Sequence, residues 1–303
     1  MKALVVGYGS IGARHARLLD QLGCTTAVVS HRQVDFSTVY PDLVSALSTH
    51  CSDYIVVANS TNQHSETVLA LASAGFEGSV LVEKPVFDHS QPIPSARFKG
   101  FFVAYNLRFH PVIKRLREIL AGEKILSAQV YVGQYLPDWR PGTDYRQSYS
   151  ARADQGGGAL RDLSHELDYI SWLCGEWTAL TALGGHVSSL EIDSDDLFVL
   201  LMRSERCPVV TIQVSYLDRV ARRQMVINTQ DRTIEADVLN GTLSINGTRE
   251  TLVVERDQTY REMHQAMLSG DFDNLCSIEA ALATLQLIES AECANKQRNW
   301  ITR

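Results

Sequence analysis

The 303-residue sequence has no CxxC pair, no basic cluster, no apolar run of membrane-spanning length, no low-complexity tract and no internal repeat. Its six cysteines (Cys24, Cys51, Cys174, Cys207, Cys276 and Cys293) are scattered without metal-ligand spacing, so no metal site is expected. Cys24, Cys51 and Cys174 sit in or beside apolar segments and read as small buried hydrophobes. Basic residues are in the minority, 28 Lys and Arg against 35 Asp and Glu, for a net charge of -7. That balance argues against a nucleic-acid or anionic-membrane surface, because counterion release needs a basic face. The missing long apolar run argues against a membrane-spanning helix. The chain opens directly on "MKALVVGYG", without a charged segment and separate apolar segment of a secretory leader, so a reducing, cytoplasmic setting is expected.

What is present is ordinary for a globular chain, 45% hydrophobic and 21% charged, at a length that suggests two domains. The first third alternates strand and helix. Continuous apolar runs at 3–7, 25–30, 53–59, 79–85 and 101–106 read as strands covered on both faces. Helices are expected between them at 10–22, at 41–48 with Pro41 in the first turn, and at 62–75. This is the pattern of an α/β Rossmann domain with a doubly wound parallel sheet, placed at 1–107. The pattern then changes. A helix at 111–121, a strand at 125–133, a long polar and aromatic loop at 134–155 and a helix from about 158 lead into successive strands from 178 to 256. Asn240-Gly241 and Asn246-Gly247 mark hairpins among them. Helices at 259–268 and 277–296 close the chain. The second domain, 108–303, is therefore expected to be α+β around a large, mostly antiparallel open sheet, suited to substrate binding and to a homodimer or homotetramer.

Between the first strand and first helix lies "GYGSIG", a Gly7-x-Gly9-x-x-Gly12 loop with the strand–loop–helix context that a dinucleotide pyrophosphate needs. Gly7, Gly9 and Gly12 permit the tight turn and close approach, and Ser10, Ile11 and Gly12 open the helix whose free N–H groups face the anion. The second strand ends in Ser30, His31 and Arg32, with the nearest acid, Asp35, beyond it. An acid at the strand end serves the ribose of NAD, whereas arginine and hydroxyl residues serve the 2′-phosphate of NADP. NADP is expected, with NAD as the alternative.

The segment "GGGALRDLSHELDYISWLCG" pairs three glycines with a helix carrying acids and a histidine. On a continuous helix Leu160, Leu163, Leu167, Ile170 and Cys174 make an apolar stripe, while Asp162, His165 and Tyr169 lie on another face. Gly156–Gly158 are expected where the backbone passes close to a cofactor ring or substrate. In the loop before it, Trp139, Arg140, Tyr145 and Tyr149, with Tyr135 and Arg146 nearby, offer stacking rings and planar donors that suit a sugar.

The glycine loop, "NSTNQH" (59–64), "VEKPV" (82–86), "YNLRFHP" (105–111) and "GGGALRDLSHELD" (156–168), in this order, resemble the Gfo/Idh/MocA oxidoreductases. The motifs run from residue 1 to about 172, and the likeness beyond is one of architecture. The resemblance implies that Lys84 approaches both nicotinamide and substrate oxygen, that Glu83 sits by the cofactor, and that Pro85 shapes the turn, often through a cis peptide. It implicates Asp162 and His165 at the nicotinamide. It places Asn59, Ser60, His64, Asn106 and Arg108 on the cofactor side. Two features depart from the family pattern: Asp162 and His165 are three residues apart where four is usual, and 87–100 is short and proline-containing, which alters the cofactor-edge surface.

The implied chemistry is hydride transfer between a nicotinamide and the secondary alcohol or ketone of a sugar, sugar derivative or cyclitol. His165 has the intrinsic acidity for proton transfer, Lys84 would steady an oxyanion, and Asp162 would orient and charge-stabilise the pair. Two rival readings are a glycoside-cleaving enzyme with tightly held NAD and a non-catalytic dinucleotide-binding regulator. The intact Lys84 and His165 favour an enzyme over the regulator.

Overall fold

The computed structural model describes residues 1–140 and 142–303. In chain order it begins with β1 (Lys2–Val6), α1 (Ser10–Gln21), β2 (Thr25–Val29), β3 (Val39–Tyr40), α2 (Leu43–His50) and β4 (Tyr54–Val57). α3 (His64–Ser73), β5 (Ser79–Val82), β6 (Gly100–Val103), α4 (Pro111–Leu120) and β7 (Ile125–Gly133) follow. A run of short 3-10 turns leads to α5 (Ala159–Asp162) and α6 (His165–Cys174). Then come β8 (Trp177–Gly185), β9 (Leu197–Ser204), β10 (Val210–Ser215), β11 (Arg222–Thr229), β12 (Thr233–Asp237), β13 (Thr242–Ile245) and β14 (Thr248–Thr251). α7 (Gln258–Ser269), β15 (Cys276–Ser277), α8 (Ile278–Gln297) and β16 (Ile301–Thr302) complete the chain.

These elements form two compact units, each assembled from two chain segments: Met1–Phe109 with Asp257–Leu282, and His110–Arg256 with Ala283–Arg303. The single boundary expected between 107 and 108 is therefore corrected. The first crossing lies two residues later, and the stretch from Asp257 to Leu282 returns to the first unit. The cause is packing. Met263, Ala266 and Met267 of α7 and Leu275 join the core made by Ala16, Leu19, Val28, Val56 and Leu81, and β15 pairs antiparallel with the edge strand β6.

In the first unit the sheet order is β15-β6-β5-β4-β1-β2-β3. All pairs but the β15 edge are parallel. β4 and β5 are buried at every residue, as apolar runs covered on both faces should be. The first strand lies mid-sheet with β2 on one side and β4 on the other, which makes the carboxyl ends of β1 and β4 the switch point where such sheets bind ligands. The two-residue β3 was not expected. α2 starts two residues later than expected because Asp42, not Pro41, begins it: the Asp42 carboxylate accepts the Ser45 N–H at 2.7 Å.

The second unit holds a nine-stranded sheet, β14-β13-β12-β11-β7-β10-β9-β8-β16, antiparallel except for the parallel β7–β10 pair. β9 shows the alternation of a one-sided sheet, with Phe198, Leu200 and Met202 buried and Val199 and Leu201 exposed. The Asn246-Gly247 turn joins β13 to β14 with both residues at positive φ, 49° and 84°, as a type I′ hairpin requires.

Candidate active-site residues

β1 ends at Val6 and α1 begins at Ser10, so three residues make the entire connection. Gly7 lies at φ +98°, and a Cβ there would press on the Ala58–Asn59 peptide at 2.6–2.7 Å. A Cβ on Gly12 would run into the Gly7 carbonyl. Gly9 differs: a Cβ there meets nothing within 4 Å, so this glycine keeps open the space before the helix. The first intrahelical bond runs from Ala13 N–H to the Gly9 carbonyl at 2.9 Å, which leaves the Ser10, Ile11 and Gly12 amides directed out of the helix end. No acid sits in that first turn. Beside the loop, Asn59 donates its amide to Thr67 Oγ1 at 2.9 Å, while its Oδ1 is a buried acceptor with no partner. An open approach, outward amides and an unanswered acceptor fit a dinucleotide's phosphates and ribose.

At the end of β2, the Arg32 guanidinium donates to the Tyr8 carbonyl of the glycine loop at 3.2 Å, and the Arg32 N–H donates to Ser30 Oγ at 3.2 Å. Arg32 and His31 are exposed. The cation is thus tethered against the phosphate loop. Asp35, also exposed, contributes its backbone carbonyl to the Tyr8 hydroxyl at 3.3 Å.

β5 ends at Val82, earlier than the run 79–85 suggests, and Glu83-Lys84-Pro85 turns through a cis Lys84–Pro85 bond. Lys84 is half-buried. Glu83 accepts the Lys84 N–H at 3.1 Å and faces His15 Nε2 at 2.8 Å. His64 is buried, with Nδ1 3.1 Å from the Pro85 carbonyl and Nε2 3.2 Å from the Asn59 carbonyl. Burial holds this imidazole below its ordinary range. His64 therefore braces the Lys84 turn against Asn59. Asn106 and Arg108 are buried too, donating to Thr259 Oγ1 at 2.6 Å and to the Leu275 carbonyl at 3.3 Å. They anchor the returning segment.

In the second unit the expected continuous helix is two. α5 ends at Asp162, Leu163 breaks the backbone at ψ 30°, and α6 restarts at His165 with Glu166 and Asp168 in its first turn. Acids favour a helix N-terminus, so the restart suits them better than a mid-helix place. Asp162, His165 and Tyr169 consequently do not share one helix face. Tyr169 is fully buried, donating to Glu166 Oε1 at 2.9 Å, and Glu166 forms an ion pair with Arg223 at 2.8 Å. His165 stays half-buried at the first position of α6.

Two glycines of the run, Gly157 and Gly158, have a local cause in the chain's own packing. A Cβ on Gly157 would strike the Tyr149, Ser150 and Arg152 carbonyls, and one on Gly158, at φ +124°, would strike the Asp195 carboxylate. Asp195 holds the start of α5: its carbonyl accepts the Ala159 N–H and its Oδ2 the Leu160 N–H, both at 2.9 Å. Burial pushes its carboxyl up to about 6 although the Leu160 bond pulls the other way.

Asp162 ends as the hub of an aromatic cluster. Tyr216, fully buried, donates to Asp162 Oδ2 at 2.7 Å, and the Tyr149 hydroxyl also interacts with this carboxylate. Burial first, and the Asp162 charge second, hold both phenols above their ordinary range. Trp139 meets Tyr216 edge-on at 5.1 Å, and the Arg140 guanidinium lies over Tyr149 at 5.7 Å. The structure thus gathers Trp139, Arg140 and Tyr149 about Asp162. Tyr145 is occupied elsewhere, accepting the Glu191 N–H at 3.2 Å.

Two profiles of one family match the chain. "Oxidoreductase family, NAD-binding Rossmann fold" covers residues 1–93, and "GFO/IDH/MocA C-terminal domain" covers 113–252. The chain belongs to the GFO/IDH/MocA oxidoreductases. No curated protein matches it in sequence. Among solved structures it is similar to GenD2 from gentamicin A biosynthesis in complex with NAD, with 20% identity, a TM-score of 0.82, and 100% of this chain and 96% of that one covered. It is similar to levoglucosan dehydrogenase in complex with NADH and levoglucosan, with 15% identity, a TM-score of 0.84 and coverage of 100% and 99%. The WlbA dehydrogenase from Bordetella pertussis, in complex with NADH and UDP-GlcNAcA, aligns with 19% identity, a TM-score of 0.81 and coverage of 100% and 98%.

As a nicotinamide-dinucleotide oxidoreductase of this family, the protein carries its glycine loop and its Lys84 turn at the carboxyl ends of β1 and β5, with β4 between them in the same sheet. Tyr216 and Asp195 escaped the sequence reading. Tyr216 sits just past β10, 54 residues from Asp162, and the pairing of β10 with β7 and β9 sets where that strand end falls. Among the described residues no group of three or more His, Cys, Asp and Glu is placed to hold a metal ion. Nor does any helix among them have the length and apolarity to cross a membrane.

Proposed function

We propose that this oxidoreductase prefers NADP and acts on the secondary alcohol or ketone of a sugar or sugar derivative. The observation that carries the dinucleotide preference is Arg32, exposed and tied to the Tyr8 carbonyl, a cation placed against the phosphate loop where an acid would serve NAD. The dinucleotide, when bound on the Gly7–Gly12 loop and Asn59, would supply the hydride acceptor or donor. Lys84, held by the Glu83 contact to its peptide, is the ammonium that steadies the substrate oxyanion. His165 moves the hydroxyl proton. Asp162 holds the Tyr216 and Tyr149 hydroxyls, so the cluster sets the Tyr149 and Trp139 rings and the Arg140 guanidinium as ring faces and a planar donor of the kind that recognise a sugar. The sugar nucleotide and anhydrosugar bound by WlbA and levoglucosan dehydrogenase support that substrate class. The exposed Leu183 and Val199, cross-strand partners on the outer sheet face with Leu201 nearby, support a homodimer or homotetramer.

Mass spectrometry of the dinucleotide that copurifies, followed by a turnover screen of free and nucleotide-linked sugars with NADP and NAD, tests the reading. NADP with turnover of at least one sugar is expected. Bound dinucleotide without turnover of any sugar, in both directions, would overturn it.

A further inference from the structure

Four buried side chains of the first unit form an unbroken hydrogen-bonded row. Tyr54 Oη lies 3.0 Å from His264 Nδ1, His264 Nε2 lies 2.8 Å from His15 Nδ1, and His15 Nε2 lies 2.8 Å from Glu83 Oε1. Tyr54, His264 and His15 are at most 1% exposed and Glu83 8%. The row draws on β4, α7, α1 and the end of β5, and its far end is fastened to the Lys84 peptide, whose N–H is donated to Glu83 Oε2 at 3.1 Å.

The chemistry of the groups gives the row a direction. Burial, and then the neighbouring His15, hold His264 well below its ordinary range, so it is neutral at pH 7 and carries one N–H. Burial, and then the charges of Cys24 and Glu83, hold Tyr54 well above its ordinary range, so it keeps its O–H. With Tyr54 as first donor, one proton fills each link. Tyr54 O–H donates to His264 Nδ1, His264 Nε2–H to His15 Nδ1, and His15 Nε2–H to the Glu83 carboxylate. The opposite direction requires a protonated Glu83 or a doubly protonated His15, and in either case points the Tyr54 hydrogen away from the row. With Tyr54 buried at one end, the row fixes protons in place and does not conduct them to solvent.

We propose that His15, His264 and Tyr54 are positioning residues for Lys84. The proposal rests on the reading of Lys84 as the oxyanion group. The row holds the Glu83 carboxylate in one orientation, and Glu83 holds the Lys84 peptide immediately before the turn at Pro85. Because His15 lies on the helix that opens at the dinucleotide loop, the same row links that loop's helix to the lysine's turn. A buried carboxylate needs donors, and each donor imidazole needs its second nitrogen answered, which is why the row runs on to Tyr54.

The full chain labelled with 15N-lysine and 15N-histidine tests this at pH 8. Its six lysines make the Lys84 amide recognisable by its loss in Lys84→Arg. In the parent, His15 and His264 are expected as Nε2–H tautomers. Tyr54→Phe removes one hydroxyl and keeps the ring, so it preserves packing. It is expected to shift the His264, His15 and Lys84 amide resonances and leave those of Lys114 and Lys296 in place. On a sugar found by the screen above, Tyr54→Phe should lower kcat about 2- to 10-fold, the worth of one hydrogen bond, with KM for NADPH unchanged. An Nδ1–H tautomer at His15, or a Lys84 amide that ignores Tyr54→Phe, would overturn the proposal. Full turnover by Lys84→Ala would instead reject the Lys84 reading, and the resonance shifts would still judge the row.

Discussion

The Tyr216 hydroxyl donates to the Asp162 carboxylate at 2.7 Å, both groups buried. A carboxylate beside a phenol disfavours the phenolate, so removing the negative charge should let the phenol ionise more easily. Asp162→Asn is therefore expected to lower the titration midpoints of Tyr216 and Tyr149 toward ordinary tyrosine. Phenolate absorbance against pH, with Tyr216→Phe and Tyr149→Phe to assign the bands, measures it. Unmoved midpoints would mean that burial alone raises them.

For the chemistry itself, His165→Ala and Lys84→Ala should bind NADP nearly as the parent does while losing turnover. A proton-transfer group contributes typically about 100- to 10,000-fold, and a loss in kcat of that order is expected for His165. The double variant should lose less than the product of the single losses if, as proposed, the two act on one transition state. Steady-state rates on the identified sugar decide, and a near-parental His165→Ala would return the search for the base to the Asp162 cluster.

Gly9 and Gly12 should fail in different ways. A side chain at Gly9 meets no protein atom, so Gly9→Val should fold and melt as the parent does yet lose dinucleotide binding by calorimetry. Gly12→Val has the Gly7 carbonyl in its way and should lose stability before binding is even measured. Retained binding by folded Gly9→Val would show that the loop is only a turn.

Arg32→Ala removes the cation tethered to Tyr8 and should narrow or invert a preference for NADP over NAD. Dissociation constants for both dinucleotides in parent and variant provide the comparison. An unchanged ratio would relocate the discrimination to another residue.

Asp195 should set an acid dependence of stability. Its carboxyl is raised from 3.8 to about 6 in the folded chain, so between those values the folded state holds more protons than the unfolded one. Its burial cost is absent below pH 3.8 and complete above pH 6, so this residue's effect is a loss of stability as pH rises through that window. The size is roughly 3 kcal/mol. Urea melts at pH 4.5 and 7 should show Asp195→Asn lacking that part of the slope, and identical slopes in both proteins would count against the buried charge.

The first unit was legible because parallel strands buried on both faces read as plain apolar runs, and the glycine loop and Glu83-Lys84-Pro85 fall at their ends. The return of residues 257–282 was not, since α7's apolar face carries no mark of which core it joins. His264 within that helix reads as one more surface-spaced histidine until His15 is found opposite. In the second unit the aromatic loop was visible as composition, yet its focus on Asp162 depends on Tyr216, brought there by strand pairing alone. The triple glycine was legible as a close approach. What approaches is the chain's own Tyr149–Arg152 backbone and Asp195, which only the folded chain reveals.

The partners His15 and His264 are 249 residues apart, and β15 seals the β6 edge only with the same late segment. A ribosome extending the chain by about 5–20 residues per second leaves the first sheet waiting on the order of ten seconds or more for its last pieces. During that wait β6 is an open strand edge and the α1 face meant for α7 is bare, the two features most prone to mispairing. The unit whose synthesis begins first thus cannot close until residues 257–282 have been made, and nascent chains halted before residue 257 should be the aggregation-prone, chaperone-dependent species of this protein.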